Sequence, residues 1–387
     1  MHSNCESLLA AMVGFDTVNS YITGQPDPEL ELAKYLESEA QTMGFETKRF
    51  PVSGAGFNLM VSNIVAEEAP WLLFESHLDT VSLEGMTIDP LGAKIEGGRM
   101  YGRGACDTKA SGAAMLWALK CYAAGSDKPN NVAILFSLDE EILKRGIRSF
   151  AKHHLLDLGW NPSGVIVGEP TELAPVVAHN GAVRWKIRTE GIAAHSSKPS
   201  NGRSAISMMV KVIDLLESGY IPSLSATHPL TGKAECSINQ VQGGEQINII
   251  PECCEIAVDR RTVPGEDPEK VLPTVELLLD SLRRENPYLK VFQEEPFIVD
   301  VALNPEGGEA FSGYVQAVLR SLDLPTELEG VGYGTDGSTL SEAGVPTVVI
   351  GPGNIAQGHT ADEWIDLEQL KMGVEVYLQL MRTGAKI

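Results

Sequence analysis

Cysteine is scarce in this sequence, and its spacing excludes the sites that cysteines usually build. The chain has six cysteines in 387 residues, and none of them forms a Cys-x-x-Cys pair. This spacing excludes a zinc finger, and adjacent Cys253 and Cys254 make a poor disulfide framework. We therefore expect six reduced thiols in a reducing compartment.

Positive charge is scarce as well. Lys and Arg number 30 against 52 Asp and Glu, which gives a formal net charge of −22. A negative field of this kind repels phosphate backbones and anionic lipid surfaces. The composition therefore argues against a nucleic-acid or membrane-surface protein, and it favours metal ions and cationic or neutral small molecules as partners.

Long hydrophobic runs are also missing. No apolar run approaches the ~18 residues of a membrane-spanning helix, and the amino terminus lacks the basic and apolar regions of a signal peptide. We therefore expect a cytoplasmic protein. Hydrophobic residues still make up 43% of the chain, so a sizeable core is available. At ~100–200 residues per domain, the length favours two domains or one large domain with an insertion.

Short apolar runs bounded by turn residues predict four buried strands. These runs are residues 71–79, 131–141, 164–170 and 347–353. Helical patterns occupy residues 29–43, 109–124 and 367–382. Strands that alternate with helices predict an α/β sheet with helices on both faces.

The middle of the chain has a different pattern. Strand-like stretches lie at 183–190, 234–242, 254–261 and 289–293, and helical stretches at 204–218 and 268–286. The order β-α-β-β-α-β is typical of a compact ferredoxin-like unit. We therefore predict one domain formed by residues 1–182 and 294–387, interrupted by a second domain at 183–293.

Acidic and imidazole side chains follow the predicted strands, at the point where each strand ends. They are His77 and Asp79, Glu140 and Glu141, and Glu169, with Asp107 after a glycine-rich turn and His359 after a glycine-rich loop. In open α/β sheets, ligands bind beyond the carboxyl ends of the strands. Imidazoles and carboxylates suit Zn²⁺, or Co²⁺ and Mn²⁺. Because these groups exceed what one tetrahedral ion needs, we expect two divalent ions that share a bridging carboxylate.

The spacing also suggests different roles for these groups. His77 and Asp79 lie on one strand face, so Asp79 is placed to fix the tautomer of His77. Glu140 and Glu141 are neighbours and point in different directions, so one can bind metal while the other faces the open site as a general base. Each motif alone is weak, since an acidic cluster is usually a solvated face and GEP at 168–170 could be a plain turn. No P-loop is present, and no GxSxG motif precedes a helix.

Seven strings taken together resemble the di-zinc aminoacylase and carboxypeptidase family. They are FESHLDTV, GRGACDTKAS, SLDEE, VGEPTE, AAHSSKP, DRRTVPGE and GPGNIAQGHTADEW. They run in the right order through nearly the whole chain. The resemblance implies a zinc-binding α/β domain that is interrupted by a smaller lid, and a homodimer formed through that lid.

The resemblance further implies a set of metal ligands. His77 and Glu169 would bind one ion. Glu141 and His359 would bind the other, and Asp107 would bridge the two.

Roles in catalysis are implied in the same way. Asp79 would orient His77, and Glu140 would be the general base. The peptide bond between Asp107 and Thr108 is expected to be cis. Thr108 stands where many relatives carry Met.

Substrate contacts are implied at five further positions. His195 would reach across the dimer to the substrate carbonyl. Asn248 and Arg261 would bind the substrate carboxylate, a task that suits the planar guanidinium fork. Thr335 and Asp336 lie in a glycine-rich segment that is expected to line the substrate pocket, although Asp336 could equally cap a helix.

These expectations point to hydrolysis of the amide bond of a small N-acyl amino acid. Deacetylation of N-acetylornithine is the first expectation, and desuccinylation of succinyl-diaminopimelate is the second. A dipeptidase or carboxypeptidase activity, or action on another N-acyl amino acid, is the third. A non-catalytic metal-binding relative is an alternative of another class, and the presence of Glu140 argues against it because a binder does not need the base.

Overall fold

The computed structural model describes residues 2–385 and divides them into two compact units. The first unit runs to Val177 and then includes Pro305–Glu329 and the chain from Thr335 onward. The second unit consists of Ala178–Asn304 and Gly330–Gly334. The predicted inserted domain, residues 183–293, lies within this second unit. Each unit is built around its own hydrophobic core.

The first unit is built on a mixed eight-stranded sheet. Its centre is made of four parallel strands, one from each predicted apolar run, in the order Asn131–Ser137, Trp71–His77, Pro162–Val167 and Thr347–Val349. Glu46–Pro51 and Phe57–Asn63 extend the sheet on one side with antiparallel pairing. Val176–His179, which pairs antiparallel with Thr347–Val349, and Glu329–Val331 extend it on the other side. Because the central strands are parallel, their carboxyl ends meet at one edge of the sheet.

Helices flank this sheet, which confirms the predicted α/β fold. They are Cys5–Val13, Ser20–Thr23, Leu30–Thr42, Lys109–Ala124, Arg145–His153, Glu309–Ser321, Gly337–Glu342 and Leu367–Arg382. Lys109–Ala124 is buried along most of its length, because its small and apolar residues pack against the sheet and against two neighbouring helices. A small sheet of Lys94–Glu96, Arg99–Tyr101 and Trp364–Asp366 lies beside these elements. Between residues 2 and 385, no helix has the length and apolar character that crossing a membrane requires.

The second unit has the ferredoxin-like order of elements. Its four main strands are Gly181–Glu190, Glu235–Gly243, Cys253–Thr262 and Val291–Gln293, and its main helices are Ala205–Leu215 and Val271–Glu285. In space, the third strand lies between the second and the first, and the fourth pairs with the other side of the first. Residues of Gly181–Glu190 alternate between buried and partly exposed, as expected of a strand with one face on a core.

Close packing in the first unit requires a glycine at position 164. A Cβ atom there would lie 2.3 Å from a ring carbon of buried Phe311. We expect Gly164→Ala to lower the free energy of unfolding by about 1–3 kcal/mol because the ring must move, as measured by urea denaturation. Gly313→Ala is the matched control, since that helical glycine has open space around it. The control should leave the free energy of unfolding unchanged or raise it by up to ~1 kcal/mol. An equal decrease in both variants would contradict the packing argument.

Candidate metal centre

Three predicted ligands lie together at the carboxyl edge of the parallel strands. His77, Asp107 and Glu141 each offer one ligand atom, and these atoms lie within 4.8 Å of one another. His77 is the last residue of its strand and pairs in register with Ser137, the last residue of the neighbouring strand. Glu141 follows that neighbouring strand by a short turn, so the parallel register brings it close to His77.

The carboxylate of Asp107 lies between two imidazoles. Its Oδ1 is 3.3 Å from Nε2 of His77, and its Oδ2 is 3.2 Å from Nε2 of His359. The peptide bond between Asp107 and Thr108 is cis, as the resemblance implied. The position between two imidazoles is the one that a bridging carboxylate would occupy.

Two more carboxylates complete the group on either side of Asp107. Oε1 of Glu169 is 3.9 Å from Nε2 of His77. Oε2 of Glu141 is 3.1 Å from Nε2 of His359. The structure therefore brings all five predicted ligands together as two imidazole–carboxylate pairs with Asp107 between them.

Asp79 connects an imidazole to the turn that carries the two glutamates. Its Oδ1 is 3.4 Å from Nδ1 of His77. The same carboxylate accepts hydrogen bonds from the backbone N–H groups of Glu140 at 2.9 Å and Glu141 at 3.1 Å. The side-chain amide of Asn19 donates a fourth contact at 2.8 Å. Asp79 thus contacts both the backbone of the glutamate turn and the ring of His77, whose Nδ1 also lies 3.1 Å from the carbonyl oxygen of Asp79.

Three non-glycine residues around this cluster have left-handed backbone conformations. The φ angle is 63° at Asp139, 53° at Lys144 and 59° at His359, a conformation that costs of order 1–3 kcal/mol and clusters at functional sites. Asn19 donates a hydrogen bond to Oδ1 of Asp139 at 2.8 Å, and Arg145 pairs with the other carboxylate oxygen. These contacts stabilise the strained backbone that directly precedes Glu140 and Glu141.

Glu140 is paired with a buried lysine. Nζ of Lys144 lies 3.4 Å from Oε1 of Glu140, and the two side chains are only 8% and 10% exposed. Burial raises the pKa of Glu140, and the charge of Lys144 opposes that rise. Glu140 is therefore distinct from its neighbour Glu141, which faces an imidazole.

Buried carboxylates dominate the electrostatics of the cluster. Burial, together with the charge of Asp107, raises the pKa of Glu141 to about 8 and that of Glu169 well above its usual range. Hydrogen bonds to Asp107 and Glu141 raise the pKa of His359 to about 11. A donor set of imidazole nitrogens and carboxylate oxygens is one that Zn²⁺, Co²⁺ and Mn²⁺ accept. The residues present therefore fit divalent cations.

Ser137 joins two further buried carboxyl groups. Its Oγ is 2.6 Å from Oε1 of Glu75 and 2.9 Å from Oδ2 of Asp336. A hydroxyl group has one hydrogen to donate, so one carboxyl group must be protonated for both contacts to be hydrogen bonds. Burial raises the pKa of Glu75 to about 7 and that of Asp336 well above its usual range, which agrees with a retained proton.

Thr335 and Asp336 are both fully buried. Asp336 directly precedes the helix Gly337–Glu342, but its carboxyl group is hydrogen-bonded to Ser137 rather than to the first turn of that helix. The expected contact of these two residues with the substrate stays a prediction, and their burial gives it no support.

The remaining predicted residues lie in the second unit. His195 is exposed, and the backbone N–H of the next residue, Ser196, donates to the carbonyl of Asn248 at 3.0 Å. Nε and Nη2 of Arg261 contact the carboxylate of Asp259 at 2.9 and 3.2 Å. The roles of His195, Asn248 and Arg261 toward substrate stay predictions.

Sequence reasoning missed several buried polar residues that form hydrogen bonds or ion pairs around the predicted site. They are Asn19, Glu75, Ser137, Lys144 and Glu363. Glu75 could have been found, because a charge that interrupts an apolar run two residues before His77 lies on the same face of the strand. Asn19 lies in a polar stretch without periodicity, so the sequence offered no signal for it.

Comparison with known proteins gives a consistent result. The family model described as peptidase family M20/M25/M40 matches residues 73–383. Among solved structures, the chain is similar to an M20 family metallo-carboxypeptidase from Sulfolobus solfataricus, with 17% identity, a TM-score of 0.80 and complete coverage of both chains. It is also similar to the aminopeptidase PepT from Bacillus cereus, with 19% identity, a TM-score of 0.76 and 99% coverage of each chain.

A third similar structure is the YXEP protein of Bacillus subtilis, described as a dinuclear metal-binding peptidase of the M20 family. Its identity is 16% and its TM-score 0.71, with 98% of each chain covered. At these identities, the three structures show a shared fold along the whole chain.

Proposed function

Because the chain belongs to the peptidase family M20/M25/M40 and is a metal-dependent hydrolase of that family, we propose that it cleaves an amide bond in a short peptide. The similar structures described as a carboxypeptidase, an aminopeptidase and a human carnosine dipeptidase support this proposal. They favour the peptidase alternative over deacetylation of N-acetylornithine, which was the first expectation from the sequence.

The position of Asp107 is the observation that carries the proposal. We assign Asp107 to both of two divalent ions, since its two oxygens face two different imidazoles. His77 and Glu169 would complete one site, with Zn²⁺ the expected ion and Co²⁺ or Mn²⁺ possible substitutes. His359 and Glu141 would complete the other. When bound, such ions polarise a carbonyl group and make water nucleophilic at neutral pH.

Glu140 is assigned the proton transfers. Its carboxylate takes a proton from the attacking water, the water oxygen bonds to the carbonyl carbon, and the C–N bond breaks as Glu140 returns the proton to the leaving amine. Nζ of Lys144 lies 3.4 Å from Oε1 of Glu140. We therefore propose that the other carboxylate oxygen takes and returns the proton. Asp79 keeps the backbone of Glu140 in place.

The second unit is proposed to act as a lid and to form a homodimer. His195 would reach the substrate carbonyl from the second copy, where an imidazole can stabilise a developing oxyanion. Asn248 and Arg261 would bind the substrate carboxylate. In this proposal, the Asp259 carboxylate that Arg261 contacts gives way to the substrate.

A substrate panel tests the proposed function. Dipeptides, tripeptides, N-acetylornithine and N-succinyl amino acids are incubated with chelator-treated protein, with and without added Zn²⁺, Co²⁺ or Mn²⁺, and the released amine is measured. We expect a short peptide to give the highest kcat/KM, and chelation to lower its turnover by at least ~100-fold until metal is restored. A higher kcat/KM for N-acetylornithine would contradict the peptidase proposal. No release from any member would favour a non-catalytic relative.

A further inference from the structure

We infer that Glu363 is a positioning residue that fixes the loop carrying Asp107 and so presets the bridging carboxylate for both ions. The inference rests on the proposed function, since it concerns the same metal centre. Glu363 was not among the predicted site residues, and it lies four positions after the proposed ligand His359.

The carboxylate of Glu363 is fully buried and receives four donors. Its Oε1 accepts hydrogen bonds from the backbone N–H groups of Cys106 and Asp107, both at 2.9 Å. Its Oε2 accepts from the backbone N–H of Gly104 at 3.1 Å and from Nη1 of Arg103 at 2.8 Å. Three backbone N–H groups of the loop therefore donate to one side chain.

The backbone conformation of the loop allows these hydrogen bonds to a single carboxylate. Gly104 has a φ of 78°, and a Cβ there would lie 2.9 Å from Cγ2 of Thr80 and 3.0 Å from Cδ of Lys109. Glycine is therefore needed at this turn. Buried backbone N–H groups require an acceptor, and a carboxylate with two oxygens can serve all three as well as the guanidinium.

The same residue also links the loop to the segment that carries His359. At one end, the backbone N–H of Gly102 donates to the carbonyl of Glu363 at 3.0 Å. At the other end, Nε2 of His359 lies 3.2 Å from Oδ2 of Asp107. Residues 102–107 and 358–363 are thus held together at both ends, so Glu363 sets the spacing between the bridging carboxylate and the second imidazole.

A purely structural ion pair with Arg103 is the competing explanation. Such a pair would contribute to folding, and its loss would leave the affinity for metal unchanged. The two explanations therefore differ in a measurement that needs no substrate.

Glu363→Gln provides the first test, since the amide keeps the shape of the side chain. Its NH₂ group would face two other donors, so part of the loop loses its acceptor. We expect the affinity for Zn²⁺, measured by competition with a chromophoric chelator, to fall about 10–100-fold, as is typical of residues that support metal ligands. Hydrogen exchange at the amides of Cys106 and Asp107 in the metal-free protein should become faster. Hydrolysis of the best peptide substrate should recover as Zn²⁺ is raised.

A second variant keeps the test decisive if Glu363→Gln retains some of its contacts. Glu363→Ala is combined with Arg103→Met, so that no guanidinium stays buried without its carboxylate. This double variant removes every side-chain acceptor from the loop, and we expect weaker Zn²⁺ binding than in Glu363→Gln. Gly164→Ala is the matched control, because it destabilises the same unit at a site away from the loop, and it should bind Zn²⁺ like the wild type.

The outcomes separate the two proposals. If the wild-type protein binds two ions and the Glu363 variants bind Zn²⁺ with unchanged affinity, the positioning role alone is overturned. Equal weakening in Gly164→Ala would overturn it as well, because the effect would then follow stability. Wild-type protein that binds no ion would overturn the proposed function and the role of Glu363 with it.

Discussion

Replacing Glu140 with Gln is expected to lower kcat by about 10²–10⁴-fold, the range that general acid–base catalysis contributes, while the protein keeps two divalent ions. The amide has the size of the carboxylate but cannot take a proton from water. The proposed metal ligands are unchanged, since Glu141 rather than Glu140 faces an imidazole. The measurements are kcat with the best substrate of the panel and the metal content of the dialysed protein.

The control for this experiment is Glu342→Gln. Glu342 is an exposed carboxylate of the first unit, so its substitution makes the same chemical change away from the cluster and should leave kcat unchanged. Wild-type turnover in Glu140→Gln would remove Glu140 from the mechanism. Loss of an ion from that variant would instead identify Glu140 as a ligand.

Asp107→Ala is expected to remove both ions and to reduce turnover to background. The carboxylate faces both imidazoles, so its loss leaves each proposed site short of a ligand and of negative charge. We expect metal affinity to fall by more than the ~100-fold that the loss of a supporting residue costs. Metal content per chain and kcat/KM at fixed Zn²⁺ measure the effect.

His359→Ala is the variant to compare with Asp107→Ala. It removes one proposed ligand of one ion, so the variant should keep a single ion held by His77, Glu169 and Asp107. If Asp107→Ala also kept one ion, the carboxylate would belong to one site only and the bridging assignment would be wrong.

The parts of the fold that the sequence predicted are those buried on both sides. The four central strands are mostly apolar and mostly buried, and the helices Lys109–Ala124 and Leu367–Arg382 have the predicted bounds. The strand Glu46–Pro51 was missed because it lies at the edge of the sheet. Most of its residues are exposed or partly exposed, so it carries no apolar run.

The candidate ligands were predictable for a geometric reason. Parallel strands end at one edge, so a histidine or acidic residue that directly follows a strand marks that edge without any knowledge of distant contacts. The residues that hold the ligands follow no such rule. Asn19 contacts Asp79 across 60 positions and Glu363 contacts Asp107 across 256, and neither belongs to a local pattern.

The substrate was the least predictable property. Five of the seven strings that carry the family resemblance contain the proposed metal ligands, and metal-assisted hydrolysis is the same chemistry for an acetyl amide and for a peptide bond. Selection between substrates is proposed to depend on residues such as Asn248 and Arg261, whose spacing in the sequence does not show what they bind. The sequence therefore favoured a deacetylase, whereas the similar structures favour a peptidase.

The interruption of the first unit has a consequence for how this protein matures. Glu141 and His359 face each other across 218 positions, and the whole second unit is made between them. A ribosome delivers these residues in that order, so a nascent chain carries an incomplete cluster until the polypeptide has returned from the insertion. Because metal sites form together with the fold that assembles their ligands, we expect the proposed second ion to be bound only after this last part of the chain has been made.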